Sequence, residues 1–230
     1  MALIRDPVLF SQHFNVKPEK LSNLGLFDPT LNCDTKLFID PLLLKQSRHP
    51  LISVDAVKAF DAYFANIIRV LQHSAHEGDL PWRSADKLFT FKEPKETCLG
   101  YGERTTHGSA IGPGLRSQIM NTAKAIIKLG VKDPELFALM GLLEAGIGPD
   151  RISDMTTFAI KSTLCKFNEE VLSKLGLPTE KFAIGDDTYH LVANPFELEG
   201  RSPVIGVPND LLRPLPVVTD WSDVAHAASL

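Results

Sequence analysis

Cysteine is scarce in this chain, charge of neither sign is in excess, and no apolar run is long. The three cysteines among 230 residues, Cys33, Cys98 and Cys165, are odd in number and far apart. That spacing excludes a disulfide framework and a zinc knuckle, and it leaves reduced, buried thiols as the expectation. The 24 Lys and Arg against 28 Asp and Glu give a formal net charge of −4. A polyanion therefore feels no global attraction, and any nucleic-acid contact has to come from a local basic patch. No apolar stretch approaches the roughly 18 residues of a membrane span. The start, Met1 to Pro7, lacks the basic region and apolar run of a secretory signal. A cytoplasmic protein without membrane contact is the expectation.

What the chain does have is ordinary: 44% hydrophobic and 23% charged residues, close to the averages of globular domains and enough for a full core. A single globular domain over 1–230 is expected. Thr219 to Asp223 set up a new helix start just before the chain stops, so an N-terminal part of a longer chain stays open as the alternative.

Periodicity predicts a mixed fold, α+β or α/β, with a helical middle flanked by short strands. Val57, Phe60, Phe64, Ile67, Ile68 and Leu71 recur at spacings of three and four, predicting a core helix over about 53–73 with Ser53 as its cap. Further helices are expected over 114–129, 134–145 and 150–175. The second of these has Leu136, Phe137, Leu139, Met140, Leu142 and Leu143 apolar on most sides and is expected to be deeply buried. The third carries an inward stripe of Ile160, Leu164, Phe167, Val171 and Leu175, closed by Gly176 and Pro178. Short apolar runs bounded by turn residues predict strands near 36–40, 88–91, 189–193 and 203–207.

Chemistry has few places to sit. The most informative is Glu144 to Thr157, where a glycine-proline bend opens the longest helix. Asp150, Asp154, Thr157 and Lys161 fall at i, i+4, i+7 and i+11 and so share one helical face. Two carboxylates one turn apart either raise each other's pKa or share a hard cation such as Mg2+ or Mn2+. The catalytic set expected from this pattern is Asp150, Asp154, Glu144 and Lys161, with Asp150 and Asp154 as metal ligands. The competing explanation is an ordinary solvated helix face whose first-turn acid is stabilised by the helix dipole.

A second region, 99–114, holds five glycines and runs into a helix with Arg116 in its first turn. Free backbone N–H groups before a helix N-terminus are the physical recipe for anion binding. Gly112, Gly114, Arg116 and Arg151 are accordingly the expected phosphate contacts. The spacing matches neither the phosphate-loop lysine motif nor the dinucleotide fingerprint, and a structural loop competes. Ile111-Gly112-Pro113 and Ile147-Gly148-Pro149 match each other but are too short to count as a duplication.

Weaker candidates are Asp40 at a strand end, His73 and His76 three apart, and Cys98 with His107 as a nucleophile and base pair. The order of Glu144, Asp150 and a later lysine superficially resembles the acid and lysine pattern of restriction-endonuclease-like nucleases. It departs from that pattern because those nucleases carry their second acid and lysine on adjacent strands, whereas here the acids open a helix.

The function expected from these residues is a metal-dependent enzyme on a phosphate ester, a nuclease or phosphodiesterase, with a phosphate-containing substrate or nucleic acid as ligand. The alternative is a non-catalytic binding or assembly module, partnered by itself or by another protein.

Overall fold

The computed structural model describes residues 6–91, 93–100, 111–197 and 200–216. Its architecture is mixed α+β, dominated by helices. Two short helices, α1 (Phe10–His13) and α2 (Pro18–Asn23), lead to strand β1 (Leu37–Ile39). A π-helical stretch, Leu51–Ala56, then continues directly into α3 (Val57–Leu71), followed by α4 (Leu80–Leu88), α5 (Pro113–Lys128), α6 (Met140–Leu143) and α7 (Pro149–Leu175). The chain ends in a hairpin, β2 (Glu180–Ile184) and β3 (Asp187–Leu191), and a last strand, β4 (Leu212–Pro214).

The strands form two small antiparallel sheets. In one, β1 pairs with β4 in the register Phe38 to Arg213. In the other, β2 pairs with β3 around a two-residue turn, Ile184 facing Asp187. Sequence periodicity does not single out β2 because Glu180, Lys181 and Ile184 are not fully buried and only Phe182 turns inward.

Helix α7 is the axis of the molecule. Gly148 caps it, Pro149 occupies its first turn, and Gly176 closes it in the left-handed region at φ 69°, where a residue without Cβ carries no steric cost. It packs against β1, β3, α3 and the π-helical stretch. Ile160, Leu164, Phe167 and Val171 are buried along it, as the inward stripe predicts, while Leu175 is half-buried at the end. The buried hydroxyl of Ser153 accepts the Ile39 backbone N–H at 2.9 Å, so the helix holds β1 directly.

Four expectations need correction. The strand near 88–91 is instead the end of α4 followed by an extended turn. Asp79 caps α4 by accepting the Trp82 N–H at 2.8 Å, with Pro81 in the first turn. Phe89 and Phe91 alternate in sequence because both plug the core past the helix end, with Phe89 5.4 Å from the Phe137 ring. The helix over 134–145 is broken into a 3₁₀ turn, Pro134–Phe137, and the single turn α6. Only part of it is deeply buried: Phe137 stacks on Phe64 at 4.7 Å and Met140 is enclosed, whereas Leu139, Leu142 and Leu143 are exposed.

The third correction concerns 203–207, which is buried and extended but is no ladder strand. Its backbone groups go to separate partners: Val204 N–H to the Val192 carbonyl, Ile205 N–H to that of Glu96, and the Val207 carbonyl to Phe27 N–H. The polar groups of Gly206 are taken by a side chain, since Asn168 on α7 accepts its N–H and donates to its carbonyl, both at 2.8 Å. A Cβ on Gly206 would lie 2.5 Å from the Leu26 Cδ1, so only glycine lets the backbone come this close. Finally, Ser53 caps nothing: it lies inside the π-helical stretch and its hydroxyl donates back to the His49 carbonyl.

Candidate functional site

The first two turns of α7 carry two acids and face others that the chain brings from two other places. Asp150 and Asp154 stand one turn apart on the helix. Glu93, just before the 3₁₀ turn Lys95–Thr97, and Asp34, in the turn that precedes β1, both act on Asp154. The pairing that draws them in is local: Thr35 bridges to Leu99, and the Gly100 N–H donates to the Thr35 carbonyl at 3.0 Å.

Asp154 is the perturbed member. Burial pushes its carboxyl up to about 8, with the charges of Glu93 and Asp150 adding to the effect and that of Arg151 opposing it. It forms no hydrogen bond or ion pair among the described residues. At neutral pH it is therefore largely a protonated acid among carboxylates. One turn further along the same face, the Thr157 hydroxyl is buried and has no hydrogen-bond partner among the described residues. Buried polar groups without partners are uncommon, and perturbed acids gather at functional sites.

Asp150 folds back over the helix start, its Oδ1 occupying the space where a Cβ on Gly148 would stand at 2.5 Å. Arg151 donates to the Gly146 carbonyl and so braces the bend that brings α6 into α7. Among the described residues no three His, Cys, Asp or Glu side chains stand together closely enough to hold a metal ion. The donor set offers two carboxylates one turn apart, with Glu93 and Asp34 as the surrounding charge. Such a set fits Mg2+ better than zinc, because Mg2+ is bound through one or two carboxylates and completes its shell with water and substrate phosphate.

The other expected site residues are engaged elsewhere. Glu144 accepts hydrogen bonds from Gln118, at 2.6 Å, and from Thr122, tying α6 to α5. Lys161 pairs with Glu96 at 2.6 Å. Arg116 binds Asp86 of α4 at 2.8 Å and the Ile111 carbonyl, so it braces α4 against α5. Gly112 caps α5 and Gly114 lies open in its first turn. The rest of that glycine-rich loop, 101–110 with His107, lies outside the described residues. Thus Asp150, Arg151 and Asp154 come together, while Glu144, Lys161 and Arg116 do not join them.

The weaker candidates serve the fold. Asp40 caps the following 3₁₀ turn through the Leu42 N–H and pairs with Arg213 of β4 at 2.6 Å. His76 takes part in the turn that Asp79 caps, and the His73 ring lies beside Gln72. Cys98 is buried. None of the three cysteines forms a disulfide among the described residues, and burial pushes the Cys165 thiol up to about 12, leaving it inert.

Asp34 and Glu93 are the members that sequence reasoning missed. Each sits in a polar turn that looks like any other; the Thr35 to Leu99 bridge joins the two turns, and the Ile39 to Ser153 and Glu96 to Lys161 contacts tie them to α7. No helix among the described residues is long and apolar enough to cross a membrane. Neither a curated protein nor a solved structure matches the chain. A family model does match, over residues 15–219, and the chain belongs to that family, a domain of unknown function designated DUF8370.

Proposed function

We propose that the chain is a cation-dependent enzyme acting on a phosphate ester, with Asp150 and Asp154 as the protein's ligands to Mg2+ or Mn2+ and Arg151 as a phosphate contact. The observation that carries this reading is Asp154: a half-buried carboxyl with no hydrogen bond among the described residues, pushed up to about 8 by burial and by neighbouring acids. A cation relieves that repulsion and lets Asp154 ionise. Bound there, it would polarise a phosphoryl oxygen and activate water. Asp150 holds the second carboxylate beside it, Arg151 keeps the bend in place, and Glu93 with Asp34 supplies the negative potential that draws the cation in. Three cysteines held as thiols among the described residues favour a reducing, cytoplasmic setting.

The test is a titration of the protein with millimolar MgCl2 or MnCl2 at pH 7, following the melting temperature and the protons released. Cation uptake is expected to raise the melting temperature and to release a proton from Asp154, and Asp154→Asn should abolish both. An unchanged melting temperature in the wild type sinks the proposal.

One observation favours the other reading, a binding or assembly module. Leu142 is 82% exposed on α6, with Leu143 and Leu139 also open beside it. Light scattering separates the two: a stable oligomer that Leu142→Ser dissolves, together with no response to cations, supports the module.

A further inference from the structure

A second concave site, apart from the acidic cluster and independent of the cation reading, lies further along α7. The cleft has a volume of about 500 Å³, and its walls are α7, the β2–β3 hairpin, Glu96 and the segment 201–203. This size falls within the range of roughly 300 to 1,000 Å³ typical of small-molecule sites. Its apolar part is formed by Phe158, Phe182 and Ile184, and its polar part by Lys161, Ser162 and Arg201.

The aromatic surface is preorganised. Phe158 is 39% exposed, unusual for a phenylalanine on a helix that is otherwise mostly core. Its ring is nonetheless fixed from behind by Phe91 at 5.0 Å and Tyr63 at 5.7 Å, both edge-on. A flat apolar body laid on that ring meets a surface that need not reorganise.

The polar groups are mostly unspent donors. Lys161 spends one bond on Glu96 at 2.6 Å, and that pair neutralises the one carboxylate among the described residues that line the cleft. An ammonium has three donors, so two remain. Arg201 gives one amino group to Glu180 at 2.7 Å, leaving most of its five donors for a ligand. The hydroxyl of Ser162, on the same wall, is engaged with Tyr189 and adds polar surface without a free donor. A cationic ligand is repelled by this surplus and a neutral acceptor uses it weakly, whereas a carboxylate or phosphate takes both the donors and the charge.

We infer that this cleft binds a small organic anion whose flat apolar body rests on Phe158 and Phe182 and whose anionic group is held by Arg201 and Lys161. Calorimetric titration of the full chain with adenosine 5′-monophosphate and with indole-3-acetate tests it, the two probes separating a phosphate from a carboxylate head. Adenosine and inorganic phosphate serve as the half-ligands. At least one whole anion should bind with unit stoichiometry, about tenfold tighter than either half.

Arg201→Ala, a change at an exposed surface pair that leaves the fold intact, should weaken that binding about tenfold, and Phe158→Ala should do so to a similar degree. If neither anion binds, or if binding is indifferent to both substitutions, the inference is overturned. Thermal melts of both variants matching the wild type assign any loss of binding to the cleft and not to unfolding.

Discussion

Helix α7 carries two polar side chains in its packed length that meet opposite fates. Near its middle, Asn168 is 3% exposed and fully engaged: it donates to the Leu164 and Gly206 carbonyls and accepts the Gly206 N–H. Near its start, Asp154 is half-buried and makes no hydrogen bond or ion pair among the described residues. Fully satisfied polar groups specify a fold, because each leaves an uncompensated donor or acceptor behind when removed. A carboxyl whose surroundings favour its protonated form costs stability where it must ionise, and it persists where something besides stability uses it. The helix thus carries a fully engaged polar side chain in its C-terminal half and the proposed cation ligands near its start.

The sharpest way to break this comparison is at Asn168. Asn168→Ala strands the N–H and the carbonyl of Gly206 inside the core, and it should cost about 3 kcal/mol or more of unfolding free energy in a urea titration. A loss under about 1 kcal/mol would mean that Gly206 finds other partners and that the contrast with Asp154 does not hold.

Asp154 should behave in the opposite sense. Its carboxyl titrates near 8 in the folded chain and near 3.9 in the unfolded one. Between those values the folded state holds the proton and the unfolded state gives it up, so stability falls as pH rises through that window. Below about pH 4 both states are protonated and the group adds no slope. Asp154→Asn removes the ionisation, so its melting temperature should hold steady between about pH 5 and 8 where the wild type declines. At pH 8 without cations the variant should be the more stable, by on the order of 2 kcal/mol after allowance for residual solvent contact. A wild type as flat as the variant would place the carboxyl in ordinary solvent.

Thr157 predicts the smallest effect. Its hydroxyl is buried without a partner among the described residues, so Thr157→Val removes a polar group that contributes nothing to the fold. The variant should be unchanged or more stable by up to about 1 kcal/mol in the same urea titration. A loss of that size would show that the hydroxyl has a partner and belongs with Asn168.

Much of the helical frame was legible in the sequence because helical periodicity is a local property. The stripe from Ile160 to Val171 and the Pro149 to Gly176 boundaries of α7 were both visible in advance. The failures came where apolar residues are buried without regular structure. Phe89 and Phe91 mimic a strand because two successive inward plugs alternate with polar neighbours. The Pro203 to Val207 run mimics one because its backbone bonds are supplied by Asn168, Val192, Glu96 and Phe27 instead of one neighbouring strand.

For the candidate site, helical spacing placed Asp150, Asp154, Thr157 and Lys161 on one face, yet said nothing of what stands opposite. Lys161 shares the face and still leaves the site, because Glu96 lies across from it. Glu144 is near in sequence and leaves because α5 presents Gln118 and Thr122 to it. Asp34 and Glu93 are far in sequence and arrive.

By itself, then, the sequence determined which stretches are helical and which residues of α7 share a side, since spacings of three and four decide both within one turn. Tertiary structure alone decided which acids meet, which cations are already paired, and which buried polar groups stay unsatisfied. Those depend on contacts between residues far apart in the chain, whose energies no local pattern encodes.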